Sequence, residues 1–309
     1  VAAKQLPTLT GARGAIDADT WQGYASRWSA PFTGRRTPSN PTLACRVSER
    51  QFKSWRSYWW FEQSVRERNR AFRTPDDEAF LKAVLASTGP FRETWNEGTI
   101  LWRAQVGSEK RSDPMPGGRT YTAEFPFPAQ RMFPFRDQAT EGRANPKGIP
   151  CLYLATERDT AMGEVRPWKG SLVTVGQFKT VEDLRLVNLS LGKPSKPSYD
   201  DEPSPQEQTA AVWAHIDMAF SEPVTPDDRV ADYAPTQVLA EMFRKDGADG
   251  IAYRSAVGKG LNVALFNLDA VQLLSRQLFK TVTLQYGFRE ATIPPEFDCA
   301  EQEDDGEGG

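Results

Sequence analysis

Histidine is nearly absent from these 309 residues: His215 stands alone. That excludes a His-rich zinc site, because three scattered cysteines do not replace imidazole ligands. A Ser-His-Asp triad has one candidate base and no GxSxG elbow to present its nucleophile. Cysteine is scarce as well. Cys45, Cys151 and Cys299 are odd in number and far apart, with no CxxC pair, which reads as reduced thiols in a reducing compartment. No run approaches the roughly 18 apolar residues of a membrane span. No basic-then-apolar segment opens the chain, and the expected location is the cytoplasm. Charge of one sign is also lacking. The net charge of −3 gives no global pull toward nucleic acid or anionic lipid, and no basic aromatic stripe offers a nucleic-acid surface. The stretches "GSEKRSDPMPGGR" and "VGKGLN" match neither phosphate-loop fingerprint. Acidic "YDDEP" and "EQEDD" lack the spacing of a calcium loop.

What is present suits an ordinary folded chain, with 39% apolar and 26% charged residues. Residues 1–46, rich in Pro, Gly, Thr and Ser, read as loops or an arm anchored by Trp21, Tyr24 and Trp28. From Ser48 to Ser87 the pattern is helical. Pro75 separates a first helix from a second that opens on Thr74 and Pro75. The run Trp55, Tyr58, Trp59, Trp60 and Phe61 reads as a packing face rather than a ligand platform. "GTILWRAQVG" (98–107) is a strand carrying Arg103, followed by a loop to about residue 149. "PCLYLAT" (150–156) is a short buried strand, and T-E-R-D from Thr156 is a capping-box-like helix start. "SLVTVGQFK" and "DLRLVNLS" are strands, and "GKPSKPSYDDEPSP" is a surface loop. Two helices follow, "QEQTAAVWAHIDMAFS" and "PTQVLAEMFRKDG", the second stopped by Gly247. "GIAYRSA" and "NVALFN" are buried strands, and "LLSRQLFKTVTLQYGF" is a closing strand or two. The predicted class is α+β with a mixed sheet, not a doubly wound parallel fold. The predicted divisions are an arm and helical extension over 1–95, a body over 96–290 and an acidic disordered tail over 291–309.

A few residues break the pattern. A helix beginning near Glu157 places Glu164 on one face with Ala161 and Val165. A carboxylate there is expected to be partly buried, which is costly unless it is paired. A salt bridge, a frayed end and a functional role all fit. Arg103 interrupts an apolar strand, and an inward arginine needs an anionic partner such as a pyrophosphate or carboxylate. Arg143 lies in "EGRANPKG", which is either a plain turn or one that aims the guanidinium and backbone N–H groups at phosphate. Tyr153 is either a core or a cleft tyrosine. Ser255 follows a buried strand, where serine commonly forms turns. It has no evident base as a nucleophile, and needs none as a hydrogen-bond donor.

Together, Arg103 in "LWRAQ", the "GRANPKGIPCLYLATERDTAMGEV" block and "DGIAYRSAVGKGLNVALF" resemble the RES domain family. That family is named for an Arg, a Glu and a Ser, which match Arg103, Glu164 and Ser255 in order. The middle block is the most specific, with Ala144 where the family usually has an aromatic. The resemblance covers roughly residues 96–280, making 96–290 the catalytic domain. It implies an ADP-ribosyltransferase-like fold and an NAD+-depleting toxin that cleaves the nicotinamide–ribose bond by hydrolysis or phosphorolysis. NAD+ is the substrate and no metal is implied. The implied partner is an Xre-type helix-turn-helix antitoxin that blocks the cleft, and a homodimer is compatible with it. Glu164, Arg103 and Ser255 become the catalytic set, with Arg143, Tyr153 and Asn262 on the substrate. The chemistry does without histidine. A cationic pyridinium departs as neutral nicotinamide, and a carboxylate stabilises the oxocarbenium-like charge. The competing readings are a protein ADP-ribosyltransferase, differing in the acceptor, and a non-catalytic regulatory module.

Overall fold

The computed structural model describes residues 51–285, apart from 68–69, 115, 117–119, 137, 193–202 and 223–229. The expected arm over 1–46, the acidic tail and most of the Pro/Ser/Asp loop lie outside the described residues.

Helix α1 spans Ser57–Glu67 and α2 spans Pro75–Ser87. The start of α2 is written in its sequence. The Thr74 hydroxyl accepts from the Asp77 N–H, and the Asp77 carboxylate accepts from the Thr74 N–H. Asp76, Asp77 and Glu78 in the first turn suit the positive end of the helix dipole. The aromatic run of α1 divides by helical spacing. Tyr58 and Phe61 are buried while Trp59 and Trp60 stay exposed, so only part of the run is a packing face. Phe61 stacks on Phe80 of α2 at 4.6 Å.

The remaining elements are β1 (Arg92–Trp95), β2 (Ile100–Val106), β3 (Glu109–Pro114), β4 (Thr120–Phe125), β5 (Leu152–Ala155), α3 (Arg158–Glu164), β6 (Leu172–Thr180), β7 (Leu184–Asn188), α4 (Pro205–Ser221), α5 (Ala234–Lys245), β8 (Gly250–Arg254), β9 (Leu261–Leu265) and β10 (Val271–Lys280). Eight strands form one sheet in the order β1-β7-β8-β9-β5-β2-β6-β10. Among the described residues only β7 and β8 pair in parallel, and α4 and α5 make the crossover between them. The fold is therefore α+β, with a mixed sheet and flanking helices.

Strand alternation assigns the two faces. Val187, Ile251, Tyr253 and Ala264 turn toward the helices, where they share a core with Phe61, Phe80, Trp213, Ile216 and Leu239. Leu186, Ala252, Val263 and Leu265 turn the other way, onto Leu101, Met132 and Phe178.

One expectation about the elements needs correction. The stretch after β2 is not all loop, because β3 and β4 form a separate hairpin. Its residues are largely exposed: β3 is polar throughout, and the alternation of Tyr121, Ala123 and Phe125 with polar residues in β4 is short and buries little. Strand β1, which no sequence signal marks, is short and polar, and pairing with β7 makes it a strand. The closing segment, expected as a strand or two, is one strand, β10.

The feature that shapes the site is a break in the sheet. Strand β2 pairs with β6 along its length, but with β5 only at Trp102↔Ala155. Beyond that bridge the ladder stops, and a gap opens between Arg103 and Ala104 on one side and Tyr153 and Leu154 on the other.

Candidate active site

Helix α3 starts one residue later than its sequence implies. Glu157 occupies the N-cap without a side-chain cap bond. Thr156 does not cap it, because its hydroxyl accepts from the Leu261 N–H at 2.9 Å. The helix is short, and Glu164 is its last residue. Val165 closes it, and Arg166 follows at φ 45°, a left-handed conformation that is costly for a residue with a Cβ. Glu164 is consequently exposed at the open end of the helix rather than partly buried on its apolar face. It is not loose. Its Oε1 accepts from Ser255 Oγ at 2.7 Å and from Asn262 Nδ2 at 2.7 Å.

Ser255 is itself fixed. Its oxygen accepts from the Val257 and Gly258 N–H groups, each at 3.2 Å. The loop carrying it lies directly on α3. A Cβ on Gly258 would sit 2.9 Å from the Thr160 Cα, and the Thr160 hydroxyl donates to the Lys259 carbonyl. The donor that the sequence assigns to a ligand is thus already given to Glu164. Just before it, the Arg254 guanidinium donates to Asp217 and to the carbonyls of Ser190 and Gly192, which ties the end of β8 to α4.

Arg103 projects from β2 into the gap in the sheet. Burial pulls its guanidinium down to about 10. Its Nη1 is buried with no partner. An unpaired guanidinium N–H at the wall of a cleft is a standing demand for an anion or acceptor.

The turn before β5 is held from several directions. Gly142 and Asn145 form an antiparallel bridge. Buried Asn145 donates to the carbonyls of Thr140, Pro146 and Ile149. Gln237 of α5 donates to the carbonyls of Gly142 and Asn145. The Tyr153 hydroxyl donates to Asn145 Oδ1 at 2.7 Å and accepts from the Ala144 N–H at 2.9 Å. Tyr153 therefore offers its ring to the cleft, while its hydroxyl is engaged in the turn. Arg143, expected to aim at phosphate, donates to the carbonyls of Ala219 and Glu222 at the end of α4. It still lines the site. Ala144, where an aromatic is expected, is buried in the helix-side core.

These residues surround three adjoining hollows. One, of about 290 Å³, is lined by Arg103, Tyr153, Glu164, Tyr253 and Asn262. A second, also about 290 Å³, shares Glu164, Tyr253 and Asn262, and adds Arg143, Arg166 and Phe220. A third, of about 540 Å³, meets the first at Arg103. Five of the six residues singled out in the sequence line these hollows, and Ser255 joins them through its bond to Glu164. The structure adds Tyr253, which lines the first two hollows from strand β8. Gln237 and Asp217 left no signal in the sequence, because their partners lie 95 and 92 positions away for Gln237 and 37 for Asp217.

His215 is outside these hollows. It stacks on Trp55 at 6.2 Å, and burial lowers its pKa. Cys151 is buried with a free thiol, pushed up to about 12 by burial. Among the described residues no cluster of His, Cys, Asp and Glu is arranged to hold a metal ion, and no helix is long and apolar enough to cross a membrane.

A family model described as the RES domain matches residues 100–285. One similar solved structure is the crystal structure of the M. tuberculosis MbcT–MbcA toxin–antitoxin complex. It is 15% identical with a TM-score of 0.35, and the match covers 61% of this chain and 87% of that one. No curated protein matches.

Proposed function

The chain belongs to the RES domain family, and on that premise we propose that it cleaves the nicotinamide–ribose bond of NAD+, as an NAD+-depleting toxin. The observation that carries this reading is the state of Glu164. One carboxylate oxygen is held by two neutral donors, Ser255 and Asn262, at the wall shared by two hollows. Among the described residues, both hydrogen bonds to Glu164 fall on Oε1. A carboxylate fixed beforehand stabilises a developing oxocarbenium charge without reorganising when that charge appears. Ser255 and Asn262 act in this reading as positioning residues. Arg103, with its unpartnered Nη1, takes an anionic group of the substrate, and pyrophosphate is the match in charge. Tyr153 and Tyr253 wall the cleft with their rings. Arg143 braces the end of α4 at the cleft mouth.

The leaving group needs no acid, which fits a site with no histidine. The acceptor is water or phosphate in this proposal, and an Xre-type antitoxin covering the cleft is the proposed partner. The test uses the purified chain with labelled NAD+, with and without phosphate. Glu164→Gln is expected to lower kcat by about 10²–10³ while leaving NAD+ affinity nearly unchanged. Near-wild-type cleavage by Glu164→Gln would sink the assignment. Label retained on protein instead of free ADP-ribose would move the activity to protein ADP-ribosylation.

A further inference from the structure

The third hollow has no part in the bond-breaking step, and its wall carries an unanswered acceptor. Strand alternation puts Gln105 on the same face of β2 as Arg103. Gln105 Nε2 donates to the Arg131 carbonyl at 2.9 Å. That bond fixes which end of the amide is oxygen and which is nitrogen. Gln105 Oε1 is left buried with no partner. The same hollow is lined by Phe133 and Phe135. The Phe133 ring is committed edge-on to Phe178 at 5.3 Å, whereas Phe135 is 54% exposed. A free aromatic face, a fixed carbonyl acceptor and about 540 Å³ of space suit a planar base that bears an exocyclic amino group.

The order of the hollows adds a second constraint. Glu164 stands between the second and the first, and Arg103 stands between the first and the third. A dinucleotide has the same order: nicotinamide, its ribose, the pyrophosphate, then the adenosine.

We propose that the hollow formed by Gln105, Phe135 and Arg131 is the adenine subsite, in which Gln105 Oε1 accepts from the adenine amino group. This rests on the NAD+ reading above. Its consequence is selectivity for the base at the end of the substrate remote from the broken bond. Hypoxanthine has a carbonyl oxygen where adenine has the amino group, so two acceptors would face each other. Gln105 cannot turn its amide over without losing the bond to Arg131.

The experiment compares cleavage of NAD+ with that of nicotinamide hypoxanthine dinucleotide by the full chain. The wild type is expected to favour NAD+ by about tenfold in kcat/KM, chiefly through KM. Gln105→Met, which removes the acceptor at similar volume, is expected to bring that ratio near one by raising KM for NAD+. Phe135→Ala is expected to raise KM for both dinucleotides alike. Equal use of both by the wild type would overturn the assignment, and it needs no variant to fold. So would a tenfold preference that survives in Gln105→Met. In both of those cases NAD+ cleavage itself stands. Cleavage of neither dinucleotide removes the NAD+ reading, and the adenine subsite falls with it.

Discussion

One oxygen of Glu164 collects two donors that arrive from different places, Ser255 from the loop after β8 and Asn262 from within β9. Each bond to a carboxylate is worth about 1.5–3 kcal/mol in ordering that group. Ser255→Ala and Asn262→Ala are each expected to lower kcat by about tenfold or more. Because both donors hold the same oxygen, the double variant is expected to fall short of the product of the two single losses. Steady-state kinetics of the four proteins decides it, and strictly multiplicative losses would mean that the two donors act independently.

The turn from Gly142 to Asn145 is an element shaped by one absent side chain. A Cβ on Gly142 would lie 2.5 Å from the Tyr153 hydroxyl and 3.2 Å from Asn145 Oδ1. The glycine therefore serves close approach rather than an unusual backbone angle. Gly142→Ala is expected to destabilise the protein by about 1–3 kcal/mol, because the Tyr153–Asn145 bond must open to admit a methyl group. Tyr153→Phe removes the clashing oxygen, so adding Gly142→Ala to that background is expected to cost clearly less. Urea unfolding of the two pairs measures this. Equal costs in both backgrounds would place the strain elsewhere.

Across the whole molecule, α1 and α2 belong to the same core as α4 and α5. Phe61 and Phe80 pack into one apolar body with Trp213, Ile216 and Leu239. Phe61 is only 2% exposed, and truncating a buried phenylalanine costs about 3–5 kcal/mol. Phe61→Ala is expected to lower the denaturation midpoint by that amount, leaving kcat per folded molecule unchanged, since Phe61 lines none of the hollows around Glu164. A selective loss of kcat without a change in stability would instead tie α1 to the reaction.

Much of this was legible beforehand, for physical reasons that differ by feature. Local signals are complete in the sequence: the Thr74–Asp77 capping box, the stop at Gly247, and the buried strands β5, β8 and β9 all rest on neighbours a few residues apart. The grouping of Arg103, Glu164 and Ser255 was legible as well, because three breaks in apolar pattern matched one family in order. Non-local pairing was not legible. Strand β1 has no apolar face of its own, and Thr156 gave up its expected cap for a bond to Leu261, 105 positions away. The sequence by itself determined which residues are polar where the pattern asks for apolar ones, and what chemistry they can do. Only the tertiary structure decided that β2 leaves β5 after a single bridge, because a sheet's splitting depends on strands packed from both sides. That split gives Arg103 its gap, and the loop folded back on α3 gives Glu164 its two donors.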